Sequence, residues 1–335
     1  MTRHPAITKH QITITKHAPI PNGPSSKLFG NWCLVFGYCL VFGIWLLVFA
    51  SSRGGAEEAS ATRGVGLSVE PGGLLIQHVK PGETYDLAQK SGISLKVSNR
   101  DTKARTYRLS THRPSEVGSG AWLAGYAEIP DPSWFWFEQP EVTVAPGGDG
   151  YAKMFLRIPP GAQYDNQQWV VSVGVEGTPQ AGETMALAAF PRYQIETEAS
   201  ADAGTVPAGP LGVVPSVLQM PIPTATRRVT LWNNDATARR YTFSVKTAPS
   251  GVEREQIAPS AGRAWVPEPT WIAVKKRHVT IEPHQSRAIE VQARAPSTAS
   301  NAAQPWEALL WIEPDAGPAR FVRIQLEAAQ EAPSP

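Results

Sequence analysis

Seven histidines are the first residues whose type suggests chemistry, because three or four imidazole, thiolate or carboxylate groups converging on one point hold a first-row metal. His4, His10 and His17 stand evenly spaced near the N-terminus, His78 and His112 lie far apart, and His278 and His284 flank a turn expected at Glu282-Pro283. None forms the close pairs of a ligand set, so neither a metal nor any other cofactor is expected. The acids Asp131, Glu138, Glu141, Asp149 and Asp165 all stand near turn signals. A carboxylate pair there could serve a glycosidase, but solvated loop acids are the plainer expectation. No Gly-x-Ser-x-Gly elbow occurs, and Gly54-Gly55, Gly72-Gly73 and Gly147-Gly148 lack the strand-loop-helix setting of a phosphate loop. The chain is not expected to be an enzyme.

Two features suit binding instead. Trp134-Phe135-Trp136-Phe137 puts aromatic rings on both faces of a strand, so one face is core while the other is exposed, capped by a loop or covered by a partner. The second face is either Phe135 with Phe137 or Trp134 with Trp136; it would suit a glycan or a protein partner, and a Trp-rich core with one ring under a loop explains it as well. The run Lys275-Lys276-Arg277 could meet anionic lipid or an acidic partner, and equally could guard a strand edge against aggregation. With a formal net charge of +2 and few basic clusters, the chain has no footprint for nucleic acid.

The elements that must position these residues begin with an uncharged run, Leu28 to Ala50, long enough as a helix to cross a bilayer. Arg3, Lys9, Lys16 and Lys27 precede it with no acid among them, which puts the N-terminus in the cytoplasm and the rest outside. A cleaved secretory signal ending near Ala50-Ser51-Ser52 is the rival reading. Within the run, Gly30, Cys33 and Gly37 fall on one side, and Cys39, Gly43 and Ala50 on the opposite side. Small residues let helices approach closely, so this pattern predicts partner subunits packed on two sides of the span. Both cysteines lie in the run, which leaves the remainder without disulfides or thiolates.

After residue 50 one pattern occurs twice. Ser98–Ser110 returns as Trp232–Ser244, Pro132-Ser133-Trp134 as Pro269-Thr270-Trp271, Val142–Pro146 as Val279–Pro283, Trp169 as Trp306, and Tyr193–Glu196 as Val322–Gln325. Drifting spacings with kept order mark a duplicated domain with variable loops. Period-two alternation at Ile93, Leu95 and Val97, at Trp169, Val171, Val173 and Val175, and at their counterparts predicts strands with one buried and one wet face. The expectation is all-β: two antiparallel sandwiches in tandem behind one transmembrane helix. Its parts are a cytoplasmic tail at 1–27, the span at 28–50, a linker at 51–66, sandwiches at 67–198 and 212–329 joined by a linker at 199–211, and a tail at 330–335.

The pattern Val-x-Asn-x-Asp…Arg-x-Tyr, then Pro-x-Trp, then Val-x-Val-x-Pro-Gly-Gly and a strand ending Ile-Pro-Pro-Gly, resembles the immunoglobulin-like domains of bacterial surface and periplasmic proteins, of the PapD-like and NEW3-like kinds. The resemblance implies structural roles: Asn99 and Asn233 as turn residues, Val144 and Ile281 as core, Pro146-Gly147 as the turn before the next strand. It also implies use in binding and assembly. The chain differs from a pilus chaperone in placing two copies of one domain type behind an anchor. The function expected is an accessory or scaffold subunit of an envelope complex in the bacterial inner membrane, partnered by lipid and other membrane subunits, with the sandwiches in the periplasm. The alternative is a chaperone-like or adhesive module that takes a peptide strand or a glycan.

Overall fold

The computed structural model describes residues 13–17, 66–118, 125–181, 183, 186–201, 205–247, 257–296, 299 and 305–328. The expected span, with Gly30, Cys33, Gly37, Cys39 and Gly43, lies outside them, and among the described residues no helix is long and apolar enough to cross a membrane. The described chain is all-β apart from one short helix and single 3-10 turns.

The first group of strands is β1 (Thr13–His17), β2 (Leu67–Glu70), β3 (Gly73–Val79), β4 (Thr84–Asp86), β5 (Leu95–Asn99), β6 (Arg105–His112) and β7 (Ala127–Glu128). It continues through β8 (Phe135–Phe137), β9 (Glu141–Val144), β10 (Asp149–Ala152), β11 (Met154–Arg157), β12 (Gln168–Gly177), β13 (Ala188–Ala189) and β14 (Arg192–Thr197). One layer runs β1-β3-β14-β12-β6-β9; the other is made of β2-β5-β10 and β4-β11-β8. Inward residues such as Ile76, Val97, Leu109, Leu156, Val173 and Ile195 fill the space between them.

The second group is β15 (Leu211–Val214), β16 (Val217–Ile222), β17 (Thr224–Asn233), β18 (Arg239–Lys246), β19 (Ala264–Trp265), β20 (Ile272–Val274), β21 (His278–Ile281), β22 (Ser286–Arg294), β23 (Trp306–Pro314) and β24 (Arg320–Ala328). Its layers are β15-β17-β22-β20 and β16-β24-β23-β18-β21, closed over Met220, Val229, Phe243, Val291, Leu310 and Ile324. Each group is thus an immunoglobulin-like β-sandwich.

The repeated Asn-x-Asp…Arg motif has the same physical content in both. Asn99 is fully buried; its Nδ2 donates to the carbonyls of Lys103, Val144 and Ala145, and its Oδ1 accepts from the Asp101 amide. Asn233 does the same with Thr237, Ile281, Glu282 and Asp235. Asp101 and Asp235 in turn bind Arg105 and Arg239. One side chain therefore folds the β5–β6 or β17–β18 turn and ties it to the neighbouring strand, which no apolar residue can do.

Three expectations change. The sandwiches are not purely antiparallel: β3 runs parallel to β14 and β16 to β24, because the chain leaves β2 or β15 in one sheet and crosses to the other before pairing with the last strand. The wet faces expected on β12 and β23 are dry, since Val170 and Ser172 are as buried as Val171 and Val173, and Leu309 and Trp311 as buried as Leu310. The last strands match two residues away from the sequence reading: Trp169 faces Ile195 and Trp306 faces Leu326, so Glu196 answers Glu327 and Arg192 answers Arg323. A slip of two preserves the inward set, which is why alternation does not detect it.

Candidate functional site

The dry faces of β12, β14, β23 and β24 meet each other, and their meeting forms the joint between the sandwiches. Its apolar part is Tyr126 and Val170 from the first, packed on Leu309, Trp311 and Phe321 from the second. Tyr126 crosses Phe321 edge-on at 5.2 Å between ring centroids, and Phe321 stacks on Trp311 at 6.2 Å. Gly125, at φ +82°, leaves room for this: a Cβ there would lie 2.7 Å from Phe321 Cδ1.

Beside the rings lies a buried charge cluster. Arg323, with no exposed surface, donates from Nε and Nη2 to the two oxygens of Glu196 across the joint, both at 2.7 Å, and from Nη1 to Glu307. Tyr126 Oη and Gln77 Nε2 add bonds to Glu196 of 2.6 and 2.9 Å, and Gln325 Nε2 and the Ser260 amide hold Glu307. Burial alone would raise the Glu196 carboxyl, but the Arg323 guanidinium and these donors more than offset it and hold the group below its ordinary value. Burial pushes the Tyr126 phenol well above its usual range, so it stays a donor. Arg323 loses by burial and gains more from Glu196 and Glu307, so it stays charged. Two carboxylates this close could suggest acid–base chemistry. Here every oxygen is used internally and nothing is open to a substrate, so the cluster fixes geometry.

The connection between sandwiches is held as well. Asn166, buried at φ +60°, binds the Ser200 backbone in both directions and accepts from the Ser216 amide at 2.8 Å. A cleft of about 570 Å³ beside it is lined by His78, Glu198, Val214, Arg227, Arg228 and Gln325, and burial keeps the His78 imidazole below its ordinary value.

Of the aromatic run, Phe135 is fully buried, while Trp134 and Phe137 pack partly buried against the same core. Trp136 alone turns outward, 36% exposed, lying flat on Phe155 with centroids 5.5 Å apart. Trp134 crosses Trp169 at 5.5 Å, and Trp271 crosses Trp306 at 5.9 Å, so the two copies keep the same aromatic pair. Lys275, Lys276 and Arg277 lie exposed on the segment that carries the chain from β20 in one sheet to β21 in the other, with Lys275 Nζ 3.8 Å from Glu290. The structure therefore does not bring the basic run and the aromatic run together. Among the described residues no three His, Cys, Asp or Glu side chains converge as a metal site would require.

One strand edge is occupied. β3 is flanked by β14 on one side; on the other, β1 lies antiparallel to it, from Thr13 opposite Gln77 to His17 opposite Gly73. In the second sandwich the corresponding strand, β16, has β24 on one side and no strand on the other among the described residues.

Sequence reasoning missed the joint. Its signal was present in Arg323 between Val322 and Ile324, and in Glu307 directly before the apolar run Ala308 to Ile312: charges in a run buried on both faces must meet each other.

A scan of protein-family models and a search of curated proteins each find no match. Among solved structures, the chain is similar to a protein of unknown function from Porphyromonas gingivalis W83, at 13% identity over 78% of this chain and 99% of that one, with a TM-score of 0.31. It is also similar to the Escherichia coli chaperone DraB, at 12% identity over 79% and 97%, with a TM-score of 0.27. A PapD-like domain of human CEP192 matches at 15% identity over 45% and 99%, with a TM-score of 0.30. The likeness is loose, and the fold rests on the chain's own sheets.

Proposed function

We propose that this chain is a non-enzymatic, membrane-anchored binding protein that takes an extended peptide strand from another envelope protein onto the edge of β3 along which β1 lies. The observation that carries this reading is the antiparallel seating of β1 along five residues of β3. Main-chain bonds to a sheet edge supply affinity independent of most side chains. Residues 28–50 stand between the two strands, and a chain whose 28–50 crosses a bilayer once holds Thr13–His17 on the side opposite β3. The edge is then open to a strand from elsewhere. The locked joint makes the two sandwiches a stiff platform, which lowers the ordering cost of capture.

Hydrogen exchange of residues 73–79, measured on the full chain in liposomes, tests this. Edge amides should exchange fast alone and slowly with a saturating synthetic peptide of residues 11–20. Fast exchange both with and without peptide would refute strand capture. Slow exchange without peptide, released by Thr15→Pro, would show instead that β1 fills the edge in its own chain and that 28–50 does not separate them.

A further inference from the structure

The duplicated sandwiches differ at one place where their backbones agree. In both, an edge segment switches sheets: β8 to β9 in the first, β20 to β21 in the second. The Leu109 amide donates to the Pro140 carbonyl at 2.7 Å, and the Phe243 amide to the Arg277 carbonyl at 2.9 Å, so these residues correspond. Beyond that bond the β21 side of β18 carries no further strand among the described residues, since β21 ends with His278 opposite Thr242. Backbone groups alternate along a strand, so Val245 points its N–H and C=O the same way as Phe243, outward into this gap.

The side chains then diverge. In the first sandwich Phe135 and Phe137 fill the space, 6.0 Å apart, with Trp136 above. Their counterparts are Ile272, Val274 and Ala273, and beside these smaller residues lies a half-open slot of about 530 Å³ lined by Phe243, Val245, Thr270, Ile272, Val274 and Arg277. The charge at the switch inverts as well, from Glu138-Gln139-Pro140 to Lys275-Lys276-Arg277. No ion-pair partner stands by Lys276 or Arg277 among the described residues.

We infer that this slot is a second docking site, in which an acidic extended segment of a partner protein adds along the free end of β18 and buries one phenylalanine-sized side chain where the first sandwich keeps its own. A pocket walled partly by apolar side chains beside a strand end takes a strand with a large anchor. The exposed cations select acidic neighbours and keep the edge from pairing with itself. This surface is separate from the β3 edge and stands whether or not that edge takes a strand.

The test is fluorescence polarisation with the full chain and a short fluorescein-labelled peptide that alternates aspartate with phenylalanine. Val274→Phe, which rebuilds the ring present in the first sandwich, should weaken binding by about tenfold or more. Lys276→Glu with Arg277→Glu, both on the surface, should do the same, and carries the test if Val274→Phe unsettles the fold. A peptide with lysine in place of aspartate should not bind, and the peptide of residues 11–20 should not compete. Undiminished binding by the double charge variant, or equal binding of the lysine peptide, would overturn the proposal.

Discussion

Replacing Arg323 with Met isolates what the charge cluster contributes. The side chain is fully buried, gives three charge-assisted bonds to Glu196 and Glu307, and gives a fourth to the Ala258 carbonyl at 3.0 Å. At about 1.5 to 3 kcal/mol for each charge-assisted bond, the sum would reach about 5 to 9 kcal/mol. Desolvation of the guanidinium opposes that sum, and the observed cost of removing one partner from a buried ion pair is about 3 to 5 kcal/mol, which we take as the expectation. At a slope of about 1 to 3 kcal/mol per molar urea, the midpoint should fall by about 1 to 5 M. Tryptophan fluorescence of the full chain follows the transition, with Trp311 lying in the joint itself. The companion variant Arg323→Met, Glu196→Met, Glu307→Leu removes all three charges and should regain most or all of the loss, because a well-packed apolar cluster replaces an ion triad at little cost. The reasoning fails if the single variant stays within about 1 kcal/mol of the parent, or if the triple variant is no better than the single one.

Asn99→Ala and Asn233→Ala should each destabilise their own sandwich by about 2 to 4 kcal/mol, since one buried and two half-buried carbonyls lose their donor at once; a loss under about 1 kcal/mol by chemical denaturation would count against the hub. Gly125→Ala should cost about 1 to 3 kcal/mol from its positive φ and its approach to Phe321, and an unchanged melting temperature would show that the joint is looser than described. Acid should weaken the joint. The Glu196 carboxyl is held below its ordinary 4.5, so the unfolded chain takes up its proton first, and the stability present above about pH 4.5 is lost as pH falls through the folded value. Urea midpoints between pH 6 and 3 should therefore decline more steeply for the parent than for Glu196→Gln; parallel declines would remove Glu196 as the cause.

The strands were legible because their causes are local. Alternation in Met154–Arg157 or Ser286–Arg294 follows from the pleat, and the Asn hub, its Asp and its Arg lie within seven residues of one another at Asn99–Arg105. The joint was not legible, because Glu196 and Arg323 are 127 residues apart and nothing near either announces the other. The parallel pairing of β3 with β14 was hidden for a similar reason, since it depends on the path of the chain after β2 and not on the residues of either strand. In the aromatic run, alternation pairs Trp134 with Trp136 on one face, whereas Trp134 packs on the core and Trp136 alone turns outward, because Phe135 sits opposite Leu156 on the core side of β11.

The position of Arg323 in β24 also sets a timetable. Ribosomes deliver the first sandwich complete with Tyr126, Val170 and Glu196 on an open face, while β24 is the final strand of the second. β24 lies between β16 and β23, so the second core cannot close without it, and the same strand brings the counter-charge that Glu196 awaits. Sealing the joint and finishing the second core are therefore one event. A nascent chain that stalls before residue 320 is left with a sticky apolar patch around an unneutralised acid, the kind of surface by which chaperones and proteases tell unfinished products from finished ones.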